Sequence, residues 1–376
     1  VNAALKDEMS ENERNATIRK ISEVIQKEAV GDTHYDAQVR SFFKGNNFYL
    51  FVYETFTDIR LVGAPPSSIG KFGGDTDNWM WPRHTGDFSL FRIYCDKDGK
   101  PADYSPDNVP YTPKHYFPIS IKGVKENDFA MIMGYPGTTQ RYLTSWGVEQ
   151  EMKNTNKIRI DVREKKLGIL KKYMDKDDAI RIQYAAKYSQ SANYYKYSIG
   201  QNKALAELKV VDEKKAIEKN LTDWIAKNDE RKAKYGDALK LIEEAYKENN
   251  ELDVVQQYWF EALYLGPEVF GAGFGLRRLE GALGSDNKEQ VDKTVEGMKE
   301  RMQTYFKDYN QQVDKELFVA LVGMFKEKVP AGYLPTLFTT IDSDFEGNIQ
   351  KYADKLYSTS ILTDKARAEA FMENPT

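Results

Sequence analysis

Apolar positions change their spacing twice along this chain. Between residues 4 and 30 a mostly charged segment carries Ile18, Ile21 and Ile25 at i, i+3 and i+7, which predicts one amphipathic helix with a narrow apolar stripe. From Asn47 the texture becomes aromatic and β-branched, in NFYLFVYETF, DIRLV, DFSLFRIYC, HYFPISI, DFAMIMGYPG and RYLTSWGVEQ. Such residues suit a pleated, half-buried surface. Turn signals at Asp98-Gly99-Lys100-Pro101 and Gly134-Tyr135-Pro136-Gly137 punctuate them. Together they predict antiparallel β structure, one half of a barrel or sandwich. After about Gln150 the spacing becomes helical. Ile217, Leu221 and Trp224 share one face, Tyr235, Leu239, Ile242 and Tyr246 a second, and Val291, Val295, Met298, Met302 and Tyr305 a third. Breaks are expected at Gly266-Pro267, Gly281 to Gly284 and Pro330-Ala331-Gly332. The expected class is α+β: a β domain over 1-150 that includes the N-terminal helix, then a helical domain over 151-376.

One stretch fits neither pattern. More than twenty residues separate the strand Ile59-Val62 from the strand beginning at Asp87. A loop that long in a compact domain is usually functional or disordered. Phe72, Trp79, Met80 and Trp81 are too much apolar surface to leave in water, so an ordered loop is expected, packed against Asp87. Its glycines, Gly70, Gly73, Gly74 and Gly86, and its prolines, Pro65, Pro66 and Pro82, shape the backbone.

Composition narrows the function classes. With 54 basic against 58 acidic residues the net charge is -4, which gives no global basic surface for nucleic acid. Mean hydropathy is -0.65 and no run approaches eighteen apolar residues, so no helical membrane span is expected. A single cysteine, Cys95, excludes internal disulfides and thiolate metal clusters. The chain starts at Val1 without a methionine, which suggests a processed product or a fragment.

Several signatures are missing from the sequence: a P-loop, HExxH, CxxC and GxSxG. Gly271-Ala272-Gly273-Phe274-Gly275 lacks a preceding strand, so it reads as a close helix contact or helix break rather than a nucleotide loop. The three histidines, His34, His84 and His115, lack metal-ligand spacing. His84, three residues before Asp87, reads as a loop histidine bonded to backbone, and Ser67-Ser68 as a turn. Asp87 is by default a turn residue accepting backbone hydrogen bonds, but an aromatic loop against it would supply the burial a triad carboxylate needs. Asn78 and Trp79 can form a binding corner, an amide oxygen accepting from an ammonium and an indole walling it.

At these residues a resemblance is visible. GKFGGDTDNWMWPRHTGDFSLFRIY, with RLVGAPPSS before it and GYPGTT after it, closely resembles the bacterial dipeptidyl-peptidases 7 and 11, the family 46 serine exopeptidases. The resemblance implies a chymotrypsin-like antiparallel β-barrel interrupted by a large helical domain that caps the cleft, and a His, Asp, Ser triad in that chain order. It implies that Asp87 in TGDFS is the triad aspartate, and that Asn78, Trp79 and Asn193 hold the free N-terminus of a peptide substrate. It further implies no cofactor and no metal, a homodimer when intact, and a periplasmic or cell-surface location in a Gram-negative bacterium. The family's Asn-His-His-Cys motif and its Gly-Asn-Ser-Gly type segment do not occur here. The chain is therefore expected to be an internal fragment without the triad histidine and serine, inactive alone, its preference for acidic or hydrophobic side chains open. The competing expectation is a noncatalytic helical peptide-binding or scaffold protein.

Overall fold

The structure is a computed structural model that describes residues 1–43, 45–74, 76–131, 139–284 and 288–375. The turn expected at Gly134-Tyr135-Pro136-Gly137 lies outside the described residues. Contacts partition the chain into two units, residues 1–74 with 84–133, and residues 75–83 with 134–376.

The first unit is α+β. Its helix α1 (Glu11–Val30) starts where Ser10 closes a capping box with Glu13, which satisfies N-terminal N–H groups and sets the start seven residues past the expected one. Strands β1 (Asp36–Phe42) and β2 (Asn47–Tyr53) form an antiparallel hairpin in the register Asp36↔Tyr53 to Phe42↔Asn47. The Gln26 side chain of α1 accepts from Val39 N at 2.9 Å, tying helix to hairpin. Strand β3 (Ile59–Gly63), the short helix α2 (Ser67–Gly70), β4 (Leu90–Cys95) and β5 (Val109–Pro110) follow, with a second antiparallel sheet in the order β3-β4-β5. The turn at Asp98–Pro101 forms as expected, with Asp96 Oδ1 accepting from Asp98 N and Lys100 N and with Gly99 at φ +80°.

This unit has a thin core. Among its described residues only Asp58 and Cys95 are buried. Asp58 accepts both Nε and Nη2 of Arg60, at 2.9 and 2.8 Å, and Nδ2 of Asn108 at 2.8 Å. The hydrogen bonds from Arg60 hold its carboxyl down at about 2. The two described sheets remain open, and their strands leave Leu61, Val62, Leu90 and Phe91 exposed. The HYFPISI segment is not a strand: it finds no pairing partner, Pro118 interrupts its donors, and Ile119 and Ile121 are 93% and 97% exposed. The described part of DFAMIMGYPG is likewise unpaired, with Phe129 exposed.

The second unit is helical. The expected strand RYLTSWGVEQ is instead the start of α3 (Ser145–Gln150), because Thr144 caps it by accepting from Gly147 N and Glu218 accepts from both Ser145 N and Ser145 Oγ. A π-helical turn, Glu151–Asn156, leads into α4 (Lys157–Met174), followed by α5 (Asp178–Glu207), α6 (Val210–Ile225), α7 (Asp229–Tyr235) and α8 (Ala238–Tyr258). The stripe expected from Tyr235 to Tyr246 is interrupted at Gly236-Asp237, where α7 ends and α8 begins. A second π-helical turn, Trp259–Tyr264, precedes α9 (Glu268–Leu283), α10 (Lys288–Lys307), α11 (Gln311–Lys328), α12 (Thr336–Asp344), α13 (Ile349–Thr359) and α14 (Lys365–Glu373). The breaks at Gly266-Pro267 and Pro330 fall between helices as expected, whereas of Gly281 to Gly284 only Gly284 lies beyond α9. Gly271 to Gly275 sits inside α9, where a Cβ on Gly273 or Gly275 would touch Leu362 or Met298. It is a close packing face and not a break. At the centre lies α11, whose Val313, Leu317, Phe318, Leu321, Val322 and Phe325 are buried.

Candidate functional site

The long loop is divided. Residues 75–83 belong to the helical unit and both flanking limbs to the β unit. In the β unit, Gly86 N donates to Ile69 O at 3.1 Å, and a Cβ on Gly86 would come within 3.2 Å of Ile69 Cγ2. Thr85 Oγ1 accepts from Gly73 N at 3.3 Å, so the two limbs are cross-linked just before Asp87. Asp87 itself is exposed and makes no hydrogen bond among the described residues. The burial expected for it from packed aromatics is not there: Phe72, Met80 and Trp81 are 73%, 57% and 88% exposed. Within the β unit the described sheets are open and offer Phe72 no second layer to pack against.

Within the helical unit, residues 76–81 dock on α5. Lys196 Nζ donates to Thr76 O at 3.1 Å, and Met80 N to Asp77 O at 3.1 Å closes a turn above the buried Asp77. Trp79 takes φ +58°, a left-handed backbone that a bulky residue adopts only when its surroundings hold it. The holding contacts are visible. Its indole packs edge-on to Tyr197 at 5.1 Å, and its Nε1 donates to Asn193 Oδ1 at 3.0 Å and to Asn193 O at 3.2 Å. Asn78 Nδ2 donates to the same Asn193 Oδ1 at 3.0 Å.

These donors fix both amides. An indole N–H can only donate, so the Asn193 atom it meets is the oxygen. Asn78 must then offer its Nδ2 to that oxygen, which turns Asn78 Oδ1 away. That oxygen has no partner among the described residues. The arrangement presents one lone amide oxygen beside a half-exposed indole, a combination that accepts from a cation such as an ammonium and walls its neighbouring carbons. The structure thus brings Asn78, Trp79 and Asn193 together and places Asp87 in the other unit.

What holds α5 in place is not legible in the local sequence pattern. Glu261, in the second π-helical turn and 2% exposed, accepts Nε of Arg159 at 3.0 Å and Nε of Arg163 at 2.7 Å. Arg159 Nη1 also donates to Ser198 Oγ and Arg163 Nη1 to Ser191 O, so both guanidiniums bridge from α4 to the α5 segment that carries Asn193. The available signal was a lone glutamate in the apolar run WFEALYL. Among the described residues no group of three or more His, Cys, Asp or Glu is placed to hold a metal ion, and no described helix is long and apolar enough to cross a membrane.

Comparison with known proteins adds three findings. The family profile for peptidase S46 matches residues 1–376. The chain is 41% identical over 375 residues to dipeptidyl-peptidase 7 of Porphyromonas gingivalis, covering 100% of this chain and 51% of that protein. It is 40% identical over 362 residues to an Asp/Glu-specific dipeptidyl-peptidase of Flavobacterium psychrophilum, covering 96% and 49%. Among solved structures, Porphyromonas endodontalis DPP11 in complex with the dipeptide Arg-Glu superposes with a TM-score of 0.81 at 34% identity, covering 100% of this chain and 54% of that one. The chain spans about half the length of the relatives it matches.

Proposed function

The chain belongs to the peptidase S46 family, and from that premise we propose that it serves a serine dipeptidyl-peptidase that releases two-residue units from the free N-terminus of peptides. One observation carries the reading: Asn193 Oδ1 receives both Asn78 Nδ2 and Trp79 Nε1, which leaves Asn78 Oδ1, without a partner among the described residues, as the acceptor for a substrate ammonium. A charge-assisted hydrogen bond of this kind contributes roughly 1.5–3 kcal/mol. An acylated N-terminus loses the charge and keeps one N–H donor of three, and its acyl group occupies the ammonium's place, so it is disfavoured.

In this reading Asp87 orients a histidine tautomer and stabilises its imidazolium while a serine forms the acyl-enzyme, as in a His, Asp, Ser triad. The strands around Asp87 belong to a chymotrypsin-like β-barrel, and the residues beyond about 150 to a helical cap domain. Export to the periplasm or cell surface and assembly as a homodimer go with the family reading; cell fractionation and light scattering check them.

The test is release of dipeptide by the full-length gene product, rather than by this chain alone, from matched peptides with free and acetylated N-termini. Turnover is expected on the free form alone. Asp87→Ala should lower kcat by about 10⁴ with little change in KM; unchanged turnover would sink the triad assignment. The exposure of Asp87 favours a second reading, a noncatalytic peptide-binding module. Such a protein would bind the free N-terminus saturably and turn over neither peptide.

A further inference from the structure

The helical unit contains a cavity of about 520 Å³ that the proposed clamp does not use. Its volume falls in the range of small-molecule sites. Four cationic side chains line it, Arg159, Arg163, Lys166 and Lys187, against two carboxylates, Glu261 and Glu268, a surplus of two positive charges. Three of the cations lie at i, i+4 and i+7 on α4 and so form a row roughly 10 Å long at 1.5 Å per residue. Their donors are not exhausted. Arg159 uses Nε on Glu261 and Nη1 on Ser198, and its Nη2 makes no hydrogen bond among the described residues. Lys166 donates to the carbonyls of Leu265 and Gly266, two of the three bonds an ammonium can make. Desolvation by burial, and next the Arg163 charge, push its ammonium down to about 8.

Part of the lining is aromatic. Phe260 and Tyr264 stack at 5.5 Å with an interplanar angle of 18° and are each close to half exposed. Tyr194 lies beneath both guanidiniums, 5.7 Å from Arg159 and 5.2 Å from Arg163.

We propose that this cavity binds a small organic dianion, a dicarboxylate whose two charged ends lie along the cationic row and whose carbon chain lies on Phe260 and Tyr264. A surplus of two charges matches a dianion. Planar guanidiniums match carboxylates in particular. The length of the row separates two carboxylates better than it concentrates on one compact phosphate, and the rings favour a ligand with an apolar body. The ligand is bound and not transformed, and the site is independent of the peptidase reading.

Calorimetric titration of the purified protein with glutarate, monomethyl glutarate and inorganic phosphate tests this. One equivalent of glutarate should bind saturably, and the monoester about tenfold more weakly, the loss expected for one charge-assisted pair. Lys187→Gln, at a partly exposed side chain, should weaken glutarate by a similar factor with an unchanged far-ultraviolet dichroism spectrum, as should Arg159→Gln. The ester comparison needs no variant, so it stands even if Arg159→Gln fails to fold. The proposal is overturned if glutarate shows no saturable binding, if the monoester equals it, if Lys187→Gln binds it unchanged, or if phosphate binds more tightly.

Discussion

The indole Nε1 of Trp79 and the side-chain oxygen of Asn193 lie 3.0 Å apart, and that one bond sets the orientation of two amides. Asn193→Ala removes the shared acceptor. Asn78 Nδ2 is partly exposed and can turn to water, and Trp79 Nε1 keeps the backbone carbonyl of residue 193, so the stability cost should stay near 1 kcal/mol. Asn78 is then free to rotate, so a free-N-terminal peptide should lose roughly 10-fold to 100-fold in kcat/KM, chiefly through KM. Steady-state kinetics beside a thermal melt separate the two effects. Asn193→Asp keeps an acceptor and should retain most of the activity.

Glu261 is the counter-charge of two buried guanidiniums, with its side chain 1% exposed and those of Arg159 and Arg163 16% and 9% exposed. Glu261→Gln preserves shape and removes charge, which leaves two largely buried cations without their carboxylate. Breaking a buried pair in this way costs about 3–5 kcal/mol. A denaturant titration should show that loss in the midpoint. A midpoint within about 0.5 kcal/mol of wild type, the usual range for surface substitutions, would mean that water reaches the arginines.

Gly266 ends the π-helical turn under a tight restraint. A Cβ there would meet the backbone carbonyl of Ala262, and Leu321 Cδ1 lies 3.1 Å away. Backbone cannot rotate aside as a side-chain tip can, so Gly266→Ala should cost about 3 kcal/mol or more, at the upper end for overpacking. It should also disturb Lys166, which donates to the carbonyls of Leu265 and Gly266. Gly273→Ala is the control: its new Cβ would meet Leu362 Cδ1 at an ordinary 3.7 Å, and stability should change little. Equal destabilisation by the two substitutions would refute the steric account.

How far the sequence reveals this structure depends on whether each signal is local. The helices beyond residue 150 follow from 3.6-residue spacing, and on α10 the predicted face, with Met298 and Met302, is buried in the core that contains α11, whereas Ile217, Leu221 and Trp224 of α6 stay exposed. Aromatic content does not explain the loop around Trp79, since Phe72, Met80 and Trp81 stay exposed and hydrogen bonds to α5 hold it, but Asn78 and Trp79 are legible as a corner. Asn193 is not legible from spacing, since its role comes from a partner 115 residues away. The failures have the same origin. HYFPISI has strand composition without a strand beside it, and RYLTSWGVEQ turns into a helix because Glu218, 73 residues on, accepts the donors of Ser145. The exposure of Asp87 likewise depends on what covers the β unit, which no local pattern encodes.

Asp314 makes a pH prediction with a definite sign. It is fully buried, accepts from the N–H groups of Glu268 and Val269 at the start of α9, and receives the hydroxyls of Tyr357 at 2.8 Å and Tyr309 at 3.3 Å. Burial, and next the charge of Glu268, raise its carboxyl to about 7 from an ordinary 3.8, against the lowering effect of those donors. Between these two values the folded chain holds a proton that the unfolded chain has released. Stability must therefore fall as pH rises from about 4 to about 7, by a few kcal/mol from this group, and flatten above. Asp58 acts in a different window: held at about 2 by Arg60, it contributes stability above about 4 that disappears as pH falls towards 2. Urea midpoints of wild type and Asp314→Asn between pH 4.5 and 8 isolate the first effect. The variant loses an acceptor and is less stable throughout, so the comparison rests on slope. Wild type should decline with pH more steeply than the variant; parallel curves would mean that Asp314 is ionised in the fold across the range, with its four donors outweighing burial.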